Sequence, residues 1–249
     1  MNIRFAYFLV TLLVLGSLNV LGADSSSTVY EKNIYRKSWN FGFLLHTRGL
    51  GLNFRREKFK TALLKNFWTI EGYNIKSAKE QKSYGSSGDN SKSFIYGKLN
   101  HLYVIKGGIG RQKVMFEKEV VRGVQISTIY NINFALGFLK PIYLEVFKRD
   151  QNNPISTERY DPTIHRLGEI SGKASWFRGL DEMEIVPGLG AKFALNFEFA
   201  PKDNKIKALE TGVNVDAFMK PMPIMAFQSD QYVFVNLYLN FQFGRKRYL

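Results

Sequence analysis

The segment from Gln231 to Gly244 reads QYVFVNLYLNFQFG, and it decides the fold class of the chain. Its odd positions are all aliphatic or aromatic: Val233, Val235, Leu237, Leu239, Phe241 and Phe243. Its even positions are mostly amide, phenol and glycine, and the segment carries no charge. Alternation with a period of two residues indicates a β-strand with two different faces. The uncharged polar face suits a crowded barrel interior and the apolar face suits lipid, so we interpret the segment as a membrane strand.

Seven further segments show alternation or strand-like composition, and we expect a strand in each: 38–46, 50–54, 61–74, 93–119, 124–146, 185–200 and 207–218. The segment 124–146 keeps its phase throughout, although a bilayer needs only ~9–11 residues of strand. We therefore expect one long strand that projects beyond the membrane, with Pro141 in the projecting half. The residues between the second and third strands, Arg55 to Lys60, are interpreted as a charged turn.

These strands predict an all-β chain that forms a closed antiparallel up-and-down transmembrane β-barrel. An open sheet would leave unpaired backbone groups in hydrocarbon, whereas a closed barrel pairs every strand. Eight strands are expected if 93–119 is a single strand, and ten if it is two and a weak segment is added. With an even number, alternate connections share one end, which places the polar loops 76–92 and 148–184 together on the outside. The barrel is expected to span 38–246.

The N-terminus has the features of an export signal. Arg4 precedes the apolar run Phe5–Leu15, and small residues follow it, so a signal peptide over 1–22 with cleavage near Gly22 or Ala23 is predicted. The run is short for a transmembrane anchor. Residues 23–37 are expected to lead into the barrel, and 247–249 to form a C-terminal tail. Export and a barrel together predict the outer membrane of a Gram-negative bacterium as the location.

The chain has a net charge of +14 and no cysteine, which excludes a lipoprotein anchor and a thiol nucleophile. Export argues against nucleic acid as the partner of this charge, so we expect outer-membrane lipids as partners. Two basic clusters fall at the end that holds the termini: Arg55-Arg56-Lys58-Lys60 and Arg245-Lys246-Arg247. They could bind anionic headgroups there or simply keep the turns soluble.

The motifs NFGFLLH (40–46) and GLGLNFRR (49–56), with the terminal strand 231–244, carry a resemblance. The chain resembles small outer-membrane β-barrel proteins of Gram-negative bacteria, in particular the aromatic-rich barrels of the Bacteroidetes type. The resemblance covers residues 38–246 as a pattern and includes no catalytic motif. Many such barrels end on an aromatic residue, whereas here Phe243 is followed by further residues up to Leu249.

Two groups of residues are candidates for a functional site. The loop 148–184 has enough apolar side chains to fold over the barrel mouth, and its candidate interaction residues are Tyr160, His165, Trp176, Phe177 and Arg178. The inward positions of two neighbouring strands carry a candidate charge network, formed by Lys192, Glu198, Glu210 and Asp216. These charges could line a conduit, but eight strands leave only enough room for side chains, which favours a plug.

The most specific function that these features predict is a structural or interaction barrel that presents external loops, alone or with other envelope proteins as a subunit of a larger complex. Three alternatives remain: a narrow channel, a soluble lipocalin-like barrel with its apolar face inward, and a lipid-modifying enzyme. The enzyme would combine His165 with Ser156 or Ser171 and with Glu169. The three histidines lack metal-ligand spacing in the sequence, and neither a metal nor a cofactor is expected.

Overall fold

The computed structural model describes residues 36–84, 92–118, 123–148, 155–200 and 204–247. The predicted signal peptide and the lead-in as far as Tyr35 lie outside the described residues, as do the last two residues of the chain. Within the described ranges, no helix is both long and apolar enough to cross a membrane.

The described residues form a barrel and a small sheet at one of its ends. In chain order the strands are β1 (Lys37–His46), β2 (Gly49–Phe59), β3 (Leu64–Ile75), β4 (Lys82–Ser83), β5 (Phe94–Ile95), β6 (Asn100–Phe116), β7 (Gln125–Pro141), β8 (Tyr143–Phe147), β9 (Ile155–Arg159), β10 (Ile170–Lys173), β11 (Glu184–Glu198), β12 (Lys205–Met222) and β13 (Gln231–Arg247). Eight of them close an antiparallel barrel in the order β1, β2, β3, β6, β7, β11, β12, β13. The predicted eight-stranded closed antiparallel barrel is confirmed.

The barrel closes where its first strand meets its last. Strand β1 pairs with β13 along its whole length, with Phe41 opposite Phe243 and Leu45 opposite Leu239. On its other edge β1 pairs with β2. Every barrel strand therefore has two neighbours, and no edge is left with unpaired backbone groups.

The polarity of the barrel is inverted relative to that of a soluble protein. In β13 the predicted alternation is confirmed: Leu237 is 61% exposed on the outside, whereas its neighbour Asn236 is 1% exposed on the inside. Many inward side chains are amides, and the buried ones include Asn40, Asn53, Asn131, Asn133, Asn196, Asn214, Asn236 and Asn240. The outward side chains are largely aliphatic or aromatic. A lipocalin-like barrel with an apolar interior does not fit this arrangement.

The connections differ in length between the two ends. At one end, which we call the capped end, lie the turn at 47–48 and the longer connections 76–99, 142–183 and 223–230. At the other, which we call the turn end, lie the short connections 60–63, 117–124 and 199–204, together with the start of β1 and the end of β13. Residues 85–91, at the centre of the polar loop 76–92, lie outside the described part of the chain.

The predicted charged turn over Arg55 to Lys60 is wrong. Strand β2 continues to Phe59, and the actual turn is 60–63, where the backbone N–H of Lys60 donates to the carbonyl of Leu64 at 2.9 Å. The alternation of β2 also continues, so that Arg55 and Glu57 point inward while Arg56 points outward. Composition alone shows a run of charged residues, which is typical of a turn. It does not show that these side chains point alternately into and out of the barrel.

The predicted long strand over 124–146 is also wrong, because it breaks at Ile142. Pro141 has no N–H to continue the ladder. The N–H of Ile142 donates to the carbonyl of Leu99 at 3.0 Å, and the carbonyl of Ile142 accepts from the N–H of Tyr160 at 2.8 Å. The chain thereby leaves the barrel wall, and Tyr143–Phe147 forms β8 in a separate sheet.

The expected strand 93–119 is shorter in the structure. The barrel strand β6 begins at Asn100, while Phe94–Ile95 forms β5 in a hairpin with β4. Between them, Gly97 adopts a φ of +78°, which a residue with a side chain rarely tolerates. This turn separates the capped-end segment from the wall.

Candidate functional site

The centre of the barrel holds a chain of charges of alternating sign. The ammonium of Lys192 pairs with the carboxylate of Glu71. The ammonium of Lys106 lies 3.6 Å from Glu71 and 3.2 Å from Asp216. The hydroxyl of Tyr73 donates to Asp216 at 2.5 Å. All five side chains are buried, so each charge is stabilised by these partners and not by bulk water.

A second ion pair lies beside this chain. The guanidinium of Arg55 is 2.7 Å from the carboxylate of Glu210, and both side chains are fully buried. Glu210 also accepts hydrogen bonds from the hydroxyl of Tyr238 at 2.6 Å and from the amide of Gln242 at 2.7 Å. Arg55 lies over the ring of Phe67 at 4.5 Å. The carboxylate of Glu210 is therefore held by three donors from two strands, β2 and β13.

Two further carboxylates are paired near the turn end. Glu57 lies 3.4 Å from the ammonium of Lys65 and accepts from the hydroxyl of Ser38 at 2.7 Å. Glu198 accepts from the ammonium of Lys246 at 2.6 Å. Ion pairs thus occupy several levels of the barrel interior.

The four predicted network residues are all buried inside the barrel, but they do not pair with one another. Lys192 and Asp216 belong to the central chain, where Glu71 and Lys106 connect them. Glu210 pairs with Arg55, and Glu198 lies apart, next to Lys246.

Sequence reasoning missed Arg55, Glu71 and Lys106. A signal for two of them was present, because Glu71 shares the inward phase with Tyr73 in β3, and Lys106 shares it with Val104 in β6. These strands mix polar and apolar residues on both faces, which hid that phase. Arg55 was hidden by its assignment to a turn.

Side chains fill most of the interior. At the level of the central chain there is a cavity of about 10 Å³ lined in part by His46, Glu71, Tyr73 and Asn236. This is about the smallest space that holds a single water molecule. The Nε2 of His46 and the side-chain nitrogen of Asn236 have no hydrogen-bond partner in the protein, and both residues line this cavity. A filled interior of this kind is a plug and not a conduit.

The capped end carries a small folded unit, which we call the cap. Strands β9, β8 and β10 form a three-stranded antiparallel sheet in which β8 is central. Buried side chains form a separate core beneath it: Phe94, Leu144, Val146, Tyr160 and Ile170. Leu144 and Val146, which the sequence placed in the projecting half of one long strand, belong to this core. Phe94 comes from β5, so both long connections contribute to the cap.

Tyr160 and His165 lie inside the cap and stabilise it. Both are buried and their rings stack at 6.1 Å. The hydroxyl of Tyr160 accepts from the N–H of Gly97 at 3.1 Å, which ties the cap to the β5–β6 turn. The Nδ1 of His165 accepts from the N–H of Asp161 at 3.0 Å, and its Nε2 lies 3.2 Å from Glu158. Their side chains therefore stabilise the loop instead of offering a free surface.

The arrangement around Glu158 differs from that of a catalytic triad. Glu158 accepts hydrogen bonds from Lys148, from the hydroxyl of Ser156 at 2.8 Å and from His165. In a triad the imidazole lies between the serine and the acid, whereas here the acid lies between the serine and the imidazole. Both ring nitrogens of His165 are engaged, so neither is free to take a proton from Ser156.

The hydrogen bonds from Lys148, Ser156 and His165 lower the pKa of Glu158 from 4.5 to about 2. A carboxyl group whose pKa is lower in the folded state stabilises that state most above its unfolded pKa. The contribution of Glu158 to the cap is therefore complete above about pH 4.5, and it is lost as the pH falls toward 2.

Trp176, Phe177 and Arg178 are exposed, unlike Tyr160 and His165. The indole N–H of Trp176 donates to the hydroxyl of Tyr103 at 3.3 Å, and its ring lies 5.2 Å from the ammonium of Lys140. Tyr103 is on the outward face of β6, so Trp176 lies against the outer wall near the capped end. Phe177 packs edge-on against Trp176 and is 74% exposed. This pair therefore presents exposed aromatic surface on the outer wall near the capped end.

Among the described residues, no group of three or more His, Cys, Asp or Glu side chains could hold a metal ion.

Comparisons with known proteins give only distant likenesses. No family model matches the chain, and no curated protein matches it. Among solved structures, Neisserial surface protein A aligns with a TM-score of 0.40 and 9% identity, over 85% of this chain and 96% of that one. Ail, the attachment invasion locus protein of Yersinia pestis, aligns with a TM-score of 0.38 and 8% identity, over 84% and 95%. Both likenesses are too distant to transfer a function to this chain.

Proposed function

We propose that the protein is an integral barrel of a Gram-negative outer membrane with a structural or interaction role, and that the cap is its recognition surface. The observation that carries this proposal is a plugged, charge-paired barrel with an apolar outer wall and a separately folded cap at one end. The wall is committed to lipid outside and to ion pairs inside, which leaves the cap free to meet a partner. Outer-membrane lipids and other envelope proteins are the partners we propose.

The two other functional classes receive less support. A lipid-modifying site built on His165 would need a free ring nitrogen facing a serine, and both nitrogens are engaged. A narrow channel would need an open lumen, whereas the ion pairs of the interior are in direct contact. The proposed interaction role needs neither.

The membrane setting is tested on β13, where neighbouring residues face opposite ways. We expect Leu237→Lys to cost ~2–4 kcal/mol of folding free energy in a bilayer, because it puts a charge on the lipid-facing wall. Asn236→Ala, one position away and inward, is the matched control and is expected to cost much less. Urea titration of refolding into phospholipid vesicles measures both. Equal costs for the two variants would show that the outward face does not meet lipid.

The role of the cap is tested by deletion. Removing residues 155–175 takes away β9, His165 and β10. We expect the variant to remain a folded, membrane-inserted barrel, because the barrel ladder does not use these strands, but to lose the envelope proteins captured by the intact protein. The control deletes 85–91, in the polar loop 76–92, and should retain those partners. Crosslinking in intact envelopes followed by affinity purification gives the readout. If the 155–175 deletion keeps every partner, the recognition surface lies elsewhere.

A further inference from the structure

The turn end carries a dense group of outward cations on four neighbouring strands. In the order β12, β13, β1, β2 they are Lys205, Lys207, Arg245, Arg247, Lys37, Arg56 and Lys58, and we call them the basic sector. All seven side chains are exposed. Within the described ranges, none of them has a carboxylate within ion-pair distance. The basic clusters recognised in the sequence belong to this sector only in part, because Arg55 turns inward and Lys246 reaches Glu198.

Register places these cations side by side. Lys37 is opposite Lys58 on one side and opposite Arg247 on the other, so three cations form one row across three strands. In the next row, Trp39 lies between Arg56 and Arg245, and Arg245 is itself opposite Lys205. Like charges directly opposite on paired strands destabilise a sheet. An arrangement of this kind is stable when anions from outside the chain lie between the cations.

At this end of the barrel, the described carboxylates near the basic sector point inward and its cations point outward. The nearby carboxylates, Glu57 and Glu198, point inward and are buried with their own partners. Among the described residues of these four strands, the outward cations therefore have no compensating acid on the same face. The sector also borders the apolar wall directly, because the next outward row contains Phe41, Phe54 and Phe243.

A row of cations just beyond an apolar wall has the geometry of the headgroup level of a membrane. Lys and Arg lay their methylene stems on apolar surface and raise the charged group toward the phosphates. Adjacent strands are ~4.8 Å apart, so side chains from two or three strands reach one phosphate. On β7 and β11 the wall offers Thr128, Tyr130 and Phe197 at comparable levels. Strand β6 adds two exposed outward cations there, Arg111 and Lys113, opposite Tyr130 and Thr128.

We infer that the basic sector binds the phosphate-bearing headgroups of anionic glycerophospholipids in the leaflet next to the chain termini. The inference rests on the proposed membrane location and adds to it a lipid class and a defined group of side chains. The sector binds several lipids along four strands, with no enclosing pocket for any single one.

The test uses the full barrel inserted in phosphatidylcholine vesicles that contain traces of spin-labelled lipid. We expect spin-labelled phosphatidylglycerol to associate about fivefold more strongly than spin-labelled phosphatidylcholine at low salt. In ~1 M NaCl, where the screening length is ~3 Å, the preference should fall toward one. The sector variant combines Lys37→Gln, Lys207→Gln, Arg56→Gln and Arg245→Gln, and its preference should be within about twofold of one. The control makes the same change of charge at the capped end with Lys79→Gln, Lys82→Gln, Arg166→Gln and Lys173→Gln, and should behave as the unmodified protein.

Failure of the lipid inference and failure of the membrane location give different results. Heat-modifiable migration on gels shows first whether the unmodified protein inserts, and a protein that does not insert contradicts the proposed location itself. An inserted protein with no preference for the anionic lipid overturns only the lipid inference. The inference is likewise overturned if the sector variant keeps the full preference, or if the control loses as much as the sector variant. Should the sector variant fail to insert, the lipid and salt dependence of the unmodified protein still decides.

Discussion

Replacing Arg55 with Met is expected to lower the free energy of unfolding by ~3–5 kcal/mol, because it leaves the carboxylate of Glu210 buried without its counter-charge. The two groups lie 2.7 Å apart with no exposure to solvent. The hydrogen bonds from Tyr238 and Gln242 remain in the variant, but both donors are neutral. Equilibrium unfolding in urea, followed by tryptophan fluorescence in vesicles or detergent, measures the loss.

Two further variants separate a lost ion pair from a lost side chain. Arg55→Met combined with Glu210→Gln removes both charges and keeps an acceptor for Tyr238, so it should recover at least half of the loss. Arg56→Met makes the same replacement at the next residue, which faces outward, and should change stability by no more than about 0.5 kcal/mol. If Arg55→Met costs no more than Arg56→Met, or if the double variant is the less stable one, the carboxylate does not depend on this arginine.

The barrel could be predicted from strands in which apolar and polar side chains alternate without interruption. In β13 the apolar outward set and the amide inward set are separated over the whole membrane strand, and the structure has the same facing. Every backbone N–H and C=O group in lipid must be hydrogen-bonded, so membrane strands of that type form a closed barrel. The count of eight depended on the interpretation of 93–119 as a single strand, and the structure has one barrel strand there.

The interior partners were less predictable because pairing across a barrel depends on register and height. The alternation in β3 shows that Glu71 points into the barrel, but not at which height along the barrel axis it lies. Glu71 pairs with Lys192 from β11, a strand that is not a neighbour of β3. These residues are 121 positions apart in the chain. Which inward cation meets which inward acid is fixed only when every strand has its register, and no local pattern carries that information.

The sequence predicted a loop that folds over the barrel mouth, but it missed the first strand of the cap, for a different reason. Leu144 and Val146 continue the apolar phase of β7, so periodicity alone joins them to the barrel wall. In the structure these two residues lie in the core of the cap and not on the barrel wall. Both environments favour apolar side chains, so composition does not distinguish them. The wall and the cap are separated at Ile142, because its backbone groups bond to Leu99 and Tyr160 instead of continuing the barrel ladder. Pro141 marked that position in the sequence, but a proline also fits the projecting end of one long strand.

Tyr160→Ala is expected to unfold the cap and leave the barrel intact. Deleting a buried aromatic side chain typically costs ~3–5 kcal/mol, which a core of this size cannot absorb. The variant loses the contact with Tyr96, the stacking on His165 and the hydrogen bond from Gly97. Limited proteolysis should cut within 142–183 much faster than in the unmodified protein, while heat-modifiable migration of the barrel persists.

Two comparisons show which property of Tyr160 matters. Tyr160→Phe keeps the ring and removes the hydroxyl that accepts from Gly97, which is expected to cost ~0.5–1.5 kcal/mol and to accelerate cleavage slightly. Phe177→Ala removes an equally large ring from an exposed position of the same connection and should leave the cleavage rate unchanged. Loss of heat-modifiable migration in Tyr160→Ala would mean that the cap and the barrel fold as one unit. Persistence of the barrel would instead make Tyr160→Ala a full-length variant in which the recognition surface is removed by a single substitution.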